Sequence, residues 1–419
     1  MRSQLEGSQA VARTVARCRP EVVSAYPISP QTHIVEGLSD LVRTGELAPC
    51  EYLLVESEFA AMSAAIGASA TGARAYTATA SQGLLYMAEA VYNAAGLGLP
   101  IVMTVANRAI GAPINIWNDH SDTMSQRDCG WIQLYADSNQ EAVDLHVQAF
   151  RLAEEVSLPV MVCMDGFVLT HAVEEIDVPE QEQVDAFLPP FEPRQVLDPD
   201  DPVTIGAMVG PEAFTEVKYL MHAKQMQALD LIPEIAAEFS QAFRRSAGGL
   251  LRQYRTSDAE TIVVVLGSVL GTVEEVVDEL REQGVRIGAV GIRCFRPYPL
   301  DELRAALGQA RRVVVLEKAF AVGVGGIVGQ NVRLALSGLP VEVLDVVAGL
   351  GGRAITKRSL HGLLADALEG RLEEGRLTFL DLDRELVGRE LARMGRGGRT
   401  GPHAENILRD VGAVAAGSH

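Results

Sequence analysis

Three short stretches of this chain set isolated polar side chains among prolines, glycines and alanines, and each can do chemistry. In AYPISPQT, Pro27 and Pro30 bracket the Ser29 hydroxyl, holding it in an extended turn before a helix. Such a turn is either a rigid connection or a mount for a hydroxyl that faces a ligand. In VESEFAAMSAAIGASATGARAYTATASQGLLYM (residues 55–87), Glu58 opens a helix of Ala, Gly and Ser whose small side chains admit a ligand or another backbone closely. Its carboxylate either complements the helix dipole or serves that ligand. The same stretch carries Thr79, Ser81 and Gln82 in a strand end rich in hydroxyls and glycine, read as a ligand-facing loop. In residues 105–131, Arg108 follows the apolar run IVMTVA, so its guanidinium emerges at a strand's carboxyl end, where a planar fork suits a carboxylate. Asp119, His120 and Asp122 follow. Without further His or Cys ligands beside them, they read as a hydrogen-bonded loop rather than a metal site.

These groups need strands to aim them, and the flanking pattern supplies strands. Residues 21–28, 52–55, 73–79, 100–106 and 159–164 are apolar runs of buried-strand type. They alternate with helical patterns at Thr32–Thr44, Glu58–Ala70, 84–95 and Asn139–Val156, the last with Ser138 as N-cap. Alternation of this kind predicts a parallel sheet covered on both faces, with ligands at its carboxyl edge. Residues 176–202 collapse into Pro, Asp, Glu and Gln and read as a surface excursion. A helical pattern follows over 215–254. A second, smaller α/β unit is then expected, with strands at 261–267, 285–292, 311–317 and 341–347. The expected organisation is residues 1–240, 255–372 and a charged arm at 373–419 with a Gly/Arg-rich break at 395–401. Gly323-Val324-Gly325-Gly326 lacks dinucleotide-loop spacing and reads as a packed turn.

A formal net charge of −19 without a long basic block argues against nucleic-acid binding. The five cysteines, Cys18, Cys50, Cys129, Cys163 and Cys294, form no CxxC pair, so neither an iron–sulfur cluster nor a structural zinc is expected in this chain. No run of about 18 apolar residues and no signal-like amino terminus occurs, and a cytoplasmic protein without membrane contact is expected.

Taken in order, AYPISPQT, the 55–87 stretch, ANRAIGAPINIWNDHSD and MVCMDGFVLTH resemble the α-subunit, or the equivalent amino-terminal segment, of pyruvate (2-oxoacid):ferredoxin oxidoreductases. The resemblance runs from residue 20 to about 370 and includes GSVLGT, IRCFRPYP and GLGGRAIT. It implies an α/β fold: a thiamine diphosphate-binding domain of the pyrimidine type, then a smaller domain like the carboxy-terminal domain of transketolases. Asp165-Gly166 is similar to the opening of the GDG…N motif that holds magnesium and diphosphate in thiamine enzymes. The preceding Gly and the downstream Asn are missing, so a β-subunit is expected to hold magnesium and diphosphate.

By that resemblance, Glu58 hydrogen-bonds the aminopyrimidine ring nitrogen and so tunes the cofactor's own base. Arg108 pairs with the substrate carboxylate, Ser29 lies near its carbonyl, and Asn115, Asp119 and His120 line the substrate side. Thr79, Ser81 and Gln82 line the cofactor pocket, and this chain supplies no metal ligand. Ser29 stands where the family commonly has Thr. The implied reaction is oxidative decarboxylation of pyruvate to acetyl-coenzyme A, with electrons passed through [4Fe-4S] clusters of gamma- and delta-type subunits to ferredoxin. Alternatives are phenylglyoxylate or another 2-oxoacid with NAD as final acceptor through a flavin subunit, or a non-catalytic structural homologue.

Overall fold

Six short strands build a parallel sheet in the computed structural model, which describes residues 2–395 and 400–413. Across this sheet the order is Ile132–Tyr135, Val160–Asp165, Val102–Asn107, Ala75–Thr79, Val22–Ala25 and Glu51–Leu54. The three central strands, Ala75–Thr79, Val102–Asn107 and Val160–Asp165, are buried at every position, as expected for a sheet covered on both faces. Helices Thr32–Thr44, Glu58–Ala70 and Asn139–Val156 form as the periodicity predicts. Ser57 and Ser138 cap the last two by accepting the backbone N–H of Ala60 and Glu141, each at 3.2 Å. The helix expected over 84–95 is instead two, Ser81–Tyr86 and Ala88–Leu97. Residue Ser81 sits at φ 50° and starts the first of them earlier than its apolar pattern indicates.

The expected surface excursion at 176–202 is partly ordered. Val173–Asp177 pairs antiparallel with Arg2–Glu6, and Ile176 packs on Ala10 and Val143. Gln181–Phe187 is a helix whose Phe187 ring meets Phe239 and Phe243 edge-on. Single apolar residues hidden among acids were enough to anchor it. The 30-residue helix Phe214–Phe243 buries Ala228, Ile232, Ile235, Phe239 and Phe243 against the Asn139–Val156 side of the sheet.

The second sheet runs Thr378–Phe379, Glu342–Val347, Arg312–Glu317, Thr261–Val265, Ile287–Ile292 and Leu251–Tyr254, with only the last strand antiparallel. Thr378–Phe379 belongs to the expected arm, so the arm begins as an edge strand, with Phe379 against the Phe320 ring. Beyond it, helices Arg384–Met394 and His403–Asp410 pair through Asp410 with Arg389 and Arg393, and through Glu390 with His403. Of the 395–401 break, residues 396–399 lie outside the described residues.

The two sheets are joined by the chain itself. After Ile287–Ile292 in the second sheet, the next three residues but one, Cys294–Arg296, become an antiparallel edge strand of the first. Arg293 at the crossing donates to Gly248 O at 2.7 Å and Glu141 at 3.0 Å. One apolar cluster contains Leu84, Trp131 and Tyr135 from the first unit and Phe295, Val290 and Val313 from the second. Phe295 packs edge-on against Tyr135, a contact worth about 1 kcal/mol beyond the area it buries. No helix among the described residues is long and apolar enough to cross a membrane.

Candidate active site

Val22–Ala25, Ala75–Thr79 and Val102–Asn107 are neighbours, and the loops leaving their carboxyl ends converge. Asp122 binds two of these loops together. Its Oδ2 accepts the backbone N–H of Ser81 at 3.0 Å and of Arg108 at 2.9 Å, and its Oδ1 accepts from Asn107 at 2.9 Å and from its neighbour Thr123 at 2.8 Å. Complete burial pushes the Asp122 carboxyl up to about 6, against the pull of these four donors. The polar cluster expected at 119–122 is thus a hydrogen-bonded loop. Asp119 accepts from Ser121 N at 3.0 Å and Gly351 N at 3.1 Å, and His120 contacts Asp165 at 2.7 Å.

Glu58, the first residue of its helix, is buried, yet its carboxylate meets no hydrogen-bond or ion-pair partner among the described residues. The buried Thr79 hydroxyl is likewise unpartnered. Gly83 separates them. A Cβ there would stand 2.5 Å from Thr79 Oγ1 and 2.8 Å from Glu58 Oε1, so only glycine keeps this space clear. A buried hydroxyl left without a partner is costly unless a ligand completes it, and the unpaired Glu58 carboxylate beside it offers that ligand acceptors. The donors of an aminopyrimidine are of the kind this pair lacks.

Ser81 and Gln82 are spent differently from what their ligand-facing position predicts. The Ser81 hydroxyl lies against Ala109 O and Gln82 Oε1, with one proton to give to either, and Gln82 donates to Gly111 O at 3.2 Å. Both brace the loop that carries Arg108.

Arg108 is buried and donates through Nη1 to Ser29 O at 2.8 Å and through Nε to Asn115 O at 3.1 Å. Burial lowers its pKa, opposed by the charge of Asp122. Nη2 makes no hydrogen bond among the described residues. Ser29 itself is exposed, its side chain without a partner among the described residues. The predicted trio of Ser29, Arg108 and Asn115 therefore comes together, held by the guanidinium. From the second unit, Gly351 O accepts the Asn115 side-chain N–H at 3.1 Å. A Cβ at Gly351 or Gly352 would lie within 2.6 Å of Asn115 or 2.4 Å of Trp117, which explains the glycines of GLGGRAIT.

Asp165, at the end of its strand, is fully engaged. Lys318 Nζ lies at 2.8 Å, His120 Nε2 at 2.7 Å and Ser268 N at 3.0 Å. Burial alone would raise this carboxyl, but Lys318 and His120 hold it well below the usual range. The glycine-rich turn at 323–326 is not the packed turn expected: Gly323 and Val324 are exposed, open space surrounds Gly323 and Gly325, and only Gly326 is buried, at the start of the next helix. Glu317 accepts the N–H groups of Ile327, Val328 and Gly329 at 2.8, 2.8 and 3.1 Å, so the chain's own carboxylate fills that helix terminus. The sequence offered no signal for Lys318 or Ser268, which lie more than 100 positions from Asp165. Gly83 carried one, a glycine just after the hydroxyl-rich strand end.

Around the site, Tyr26, Leu54, Phe59, Tyr86, Ile114, Ile116, Trp117 and Val168 are exposed, a concentration of apolar side chains of the sort that marks interaction surfaces. The family model described as pyruvate flavodoxin/ferredoxin oxidoreductase, thiamine diphosphate-binding, matches residues 13–237. The chain belongs to this family. A model for pyruvate:ferredoxin oxidoreductase core domain II matches residues 259–360. The pyruvate synthase subunit PorA of Methanosarcina barkeri is 47% identical over 392 residues, 91% of this chain and 97% of that one. The subunit of the same name from Pyrococcus abyssi is 44% identical over 92% of this chain and the whole of its own. The ketoisovalerate oxidoreductase subunit VorA of Pyrococcus horikoshii is 39% identical over 89% of this chain and 95% of its own. A solved 2-oxoglutarate:ferredoxin oxidoreductase from Magnetococcus marinus, with 2-oxoglutarate, coenzyme A and succinyl-CoA bound, superposes with a TM-score of 0.69 at 19% identity. It covers 87% of this chain, which spans 65% of that longer one, just under two thirds. The expected fold class holds in this likeness: a thiamine diphosphate-binding parallel-sheet domain followed by a smaller α/β domain.

Proposed function

We propose that this chain is the α-subunit of a pyruvate:ferredoxin oxidoreductase and covers the aminopyrimidine of thiamine diphosphate in a site shared with a β-subunit. The observation that carries this reading is the buried, unpartnered Glu58 beside the unpartnered Thr79 hydroxyl, with Gly83 clearing the space between them. The residues fit the group. When bound, thiamine diphosphate supplies the nucleophilic carbon and the electron sink for decarboxylation. Glu58 hydrogen-bonds the pyrimidine ring nitrogen and biases where the proton sits on the ring. Thr79 gives that pocket a hydroxyl, while Ser81 and Gln82 keep the adjoining loop in place.

Arg108 turns the donors not spent on Ser29 O and Asn115 O toward the 2-oxoacid carboxylate. Its low-dielectric surroundings strengthen that attraction. Ser29 presents its hydroxyl near the substrate carbonyl, and Asn115 closes the substrate side. The β-subunit holds magnesium and diphosphate, since Asp165, the nearest candidate for such a role here, is committed to Lys318 and His120. It docks on the apolar rim around Trp117. Gamma- and delta-type subunits carry the [4Fe-4S] clusters, because the five cysteines of this chain are free and four of them are buried in its core. Coenzyme A takes the acyl product, ferredoxin takes the electrons, and the complex works in the cytoplasm. Residues 1–240 and 255–372 act as its two domains and 373–419 as an arm toward partners, in keeping with the spans of the two family models.

Pyruvate is preferred because the Methanosarcina barkeri and Pyrococcus abyssi relatives, 47% and 44% identical, carry that name. The VorA likeness makes a branched 2-oxoacid the second reading. Co-purification followed by assay of pyruvate, ketoisovalerate, phenylglyoxylate and 2-oxoglutarate with a viologen acceptor separates them, and replacing the viologen by NAD tests a flavin route. In the assembled complex, Glu58→Gln is expected to slow exchange of the cofactor's thiazolium C2 proton by about 10²–10⁴-fold. Retained exchange would leave a structural homologue as the better reading.

A further inference from the structure

Away from the candidate active site, three side chains from three separate elements meet. Glu6 ends the strand Arg2–Glu6, His33 is the second residue of the helix Thr32–Thr44, and His171 lies in the turn after Val160–Asp165. One ligand atom from each lies within 4.8 Å of the other two. Glu6 Oε1 is 2.6 Å from His33 Nδ1, and the two imidazole centroids are 4.8 Å apart. The group is half-exposed, so an ion can reach it and keep a water.

Two imidazoles and one carboxylate with an open position form a ligand set of borderline divalent ions, zinc above all. In a tetrahedral zinc site neighbouring ligand atoms stand about 3.4 Å apart, so small side-chain rotations close this one. A hydrogen-bond partner that would orient His171 is present too. Thr170 Oγ1 lies 2.8 Å from His171 Nδ1. When Nδ1–H donates to that hydroxyl, the Nε2 lone pair is left free to bind, the arrangement usual for metal-bound histidine. An ion pair accounts for His33 and Glu6, and Phe167, its ring centroid 4.7 Å from that of His171, helps hold the second imidazole, tilted 35° to the first, beside them.

We propose that Glu6, His33 and His171 bind a zinc-class divalent cation. The ion takes the place of the hydrogen between Glu6 and His33, which leaves to solvent from an imidazolium or moves to Nε2 in a neutral ring. No electron transfer is involved. Binding ties the Arg2–Glu6 strand and the His171 turn to the helix that begins just after Ser29-Pro30. Pro30 already lies against Gly166, where a Cβ would meet it at 2.5 Å, so the ion stiffens the support of the Ser29 loop from behind.

The test titrates the untagged full chain, after chelator treatment, with zinc and with cobalt. One equivalent of zinc is expected by calorimetry, with the visible absorption of tetrahedral cobalt. His33→Asn and His171→Asn each abolish both signals while circular dichroism stays unchanged. Thr170→Val weakens zinc by about 10–100-fold. Zinc also raises the thermal midpoint of the wild-type chain but not of the two histidine variants. No bound equivalent, or an equivalent that persists in both histidine variants, overturns the proposal.

Discussion

Arg108 commits two donors to the protein and keeps the remainder. Ser29 O and Asn115 O take Nη1 and Nε, so the side chain proposed to read the substrate also sets the two loops that flank it. Lysine keeps the charge but loses the fork. Arg108→Lys is therefore expected to lower kcat/KM for the 2-oxoacid by about 10- to 150-fold, the loss of one charge-assisted hydrogen bond of roughly 1.5–3 kcal/mol. Steady-state kinetics of the assembled complex check this, with most of the change in KM. Unchanged kinetics would remove Arg108 from the substrate side. At this scale the sequence was legible where a polar residue directly followed an apolar strand, as with Arg108, or opened a helix of small residues, as with Glu58. It was less so for Ser81 and Gln82. Their position pointed at a ligand, but which partner captures a side chain depends on a loop 28 residues away. Asp122 was read as one of a cluster, and its role as the clamp on two strand ends emerges only when those ends are neighbours.

Elements place these groups by what they leave out as much as by what they contain. The Ser81–Tyr86 helix approaches Glu58 through Gly83, and the approach has no room for a methyl. Gly83→Ala is expected to displace Glu58 or Thr79 and weaken thiamine diphosphate binding at least tenfold, with secondary structure intact. Calorimetric titration of the complex with the cofactor measures it, and unaltered affinity would count against the pocket. Elsewhere, the helix Ile327–Ala335 is capped by Glu317. Burial pushes this carboxyl up to about 7, against the three N–H donors it accepts. A raised carboxyl contributes stability that is complete below its unfolded value of about 4 and is lost as pH rises through about 7. Between pH 5 and 8 the wild type should therefore lose about 2–4 kcal/mol through this group, a loss that Glu317→Gln does not share. Denaturant unfolding of both proteins at the two pH values compares them. Glu141, also near 7, shifts both proteins equally. Helices with strong periodicity and a serine cap were legible to the residue. The Gln181–Phe187 helix was not, because two buried side chains among acids carry too little periodic signal.

For the whole molecule, the ion cluster at Asp165 ties one sheet to the other through Lys318. Removing the lysine leaves a buried carboxylate short of its main counter-charge. Lys318→Met is expected to destabilise the chain by about 3–5 kcal/mol, and adding Asp165→Asn to recover part of the loss. Urea unfolding of the single and double variants tests this, and equal stability of Lys318→Met and wild type would show the pair to be incidental. Two α/β units in this order were readable from alternating strand and helix patterns. Their union was not, since Lys318 and Asp165 are 153 positions apart. The cluster of Glu6, His33 and His171 is hidden in the same way, and a search for local ligand spacing passes over it.

The strand Cys294–Arg296 gives the molecule a rule of inheritance. It is made by the second half of the chain but completes the first half's sheet beside Ile132–Tyr135. A fragment ending near residue 250 would lack it and leave Ile132–Tyr135 with a bare row of backbone donors and acceptors, an invitation to pair with a neighbouring molecule. A chimera that takes its second half from a relative must then also match the recipient's Tyr135 and Trp131 to the incoming Phe295. Exchange of one half alone is therefore penalised at this seam, and the two halves are expected to travel together.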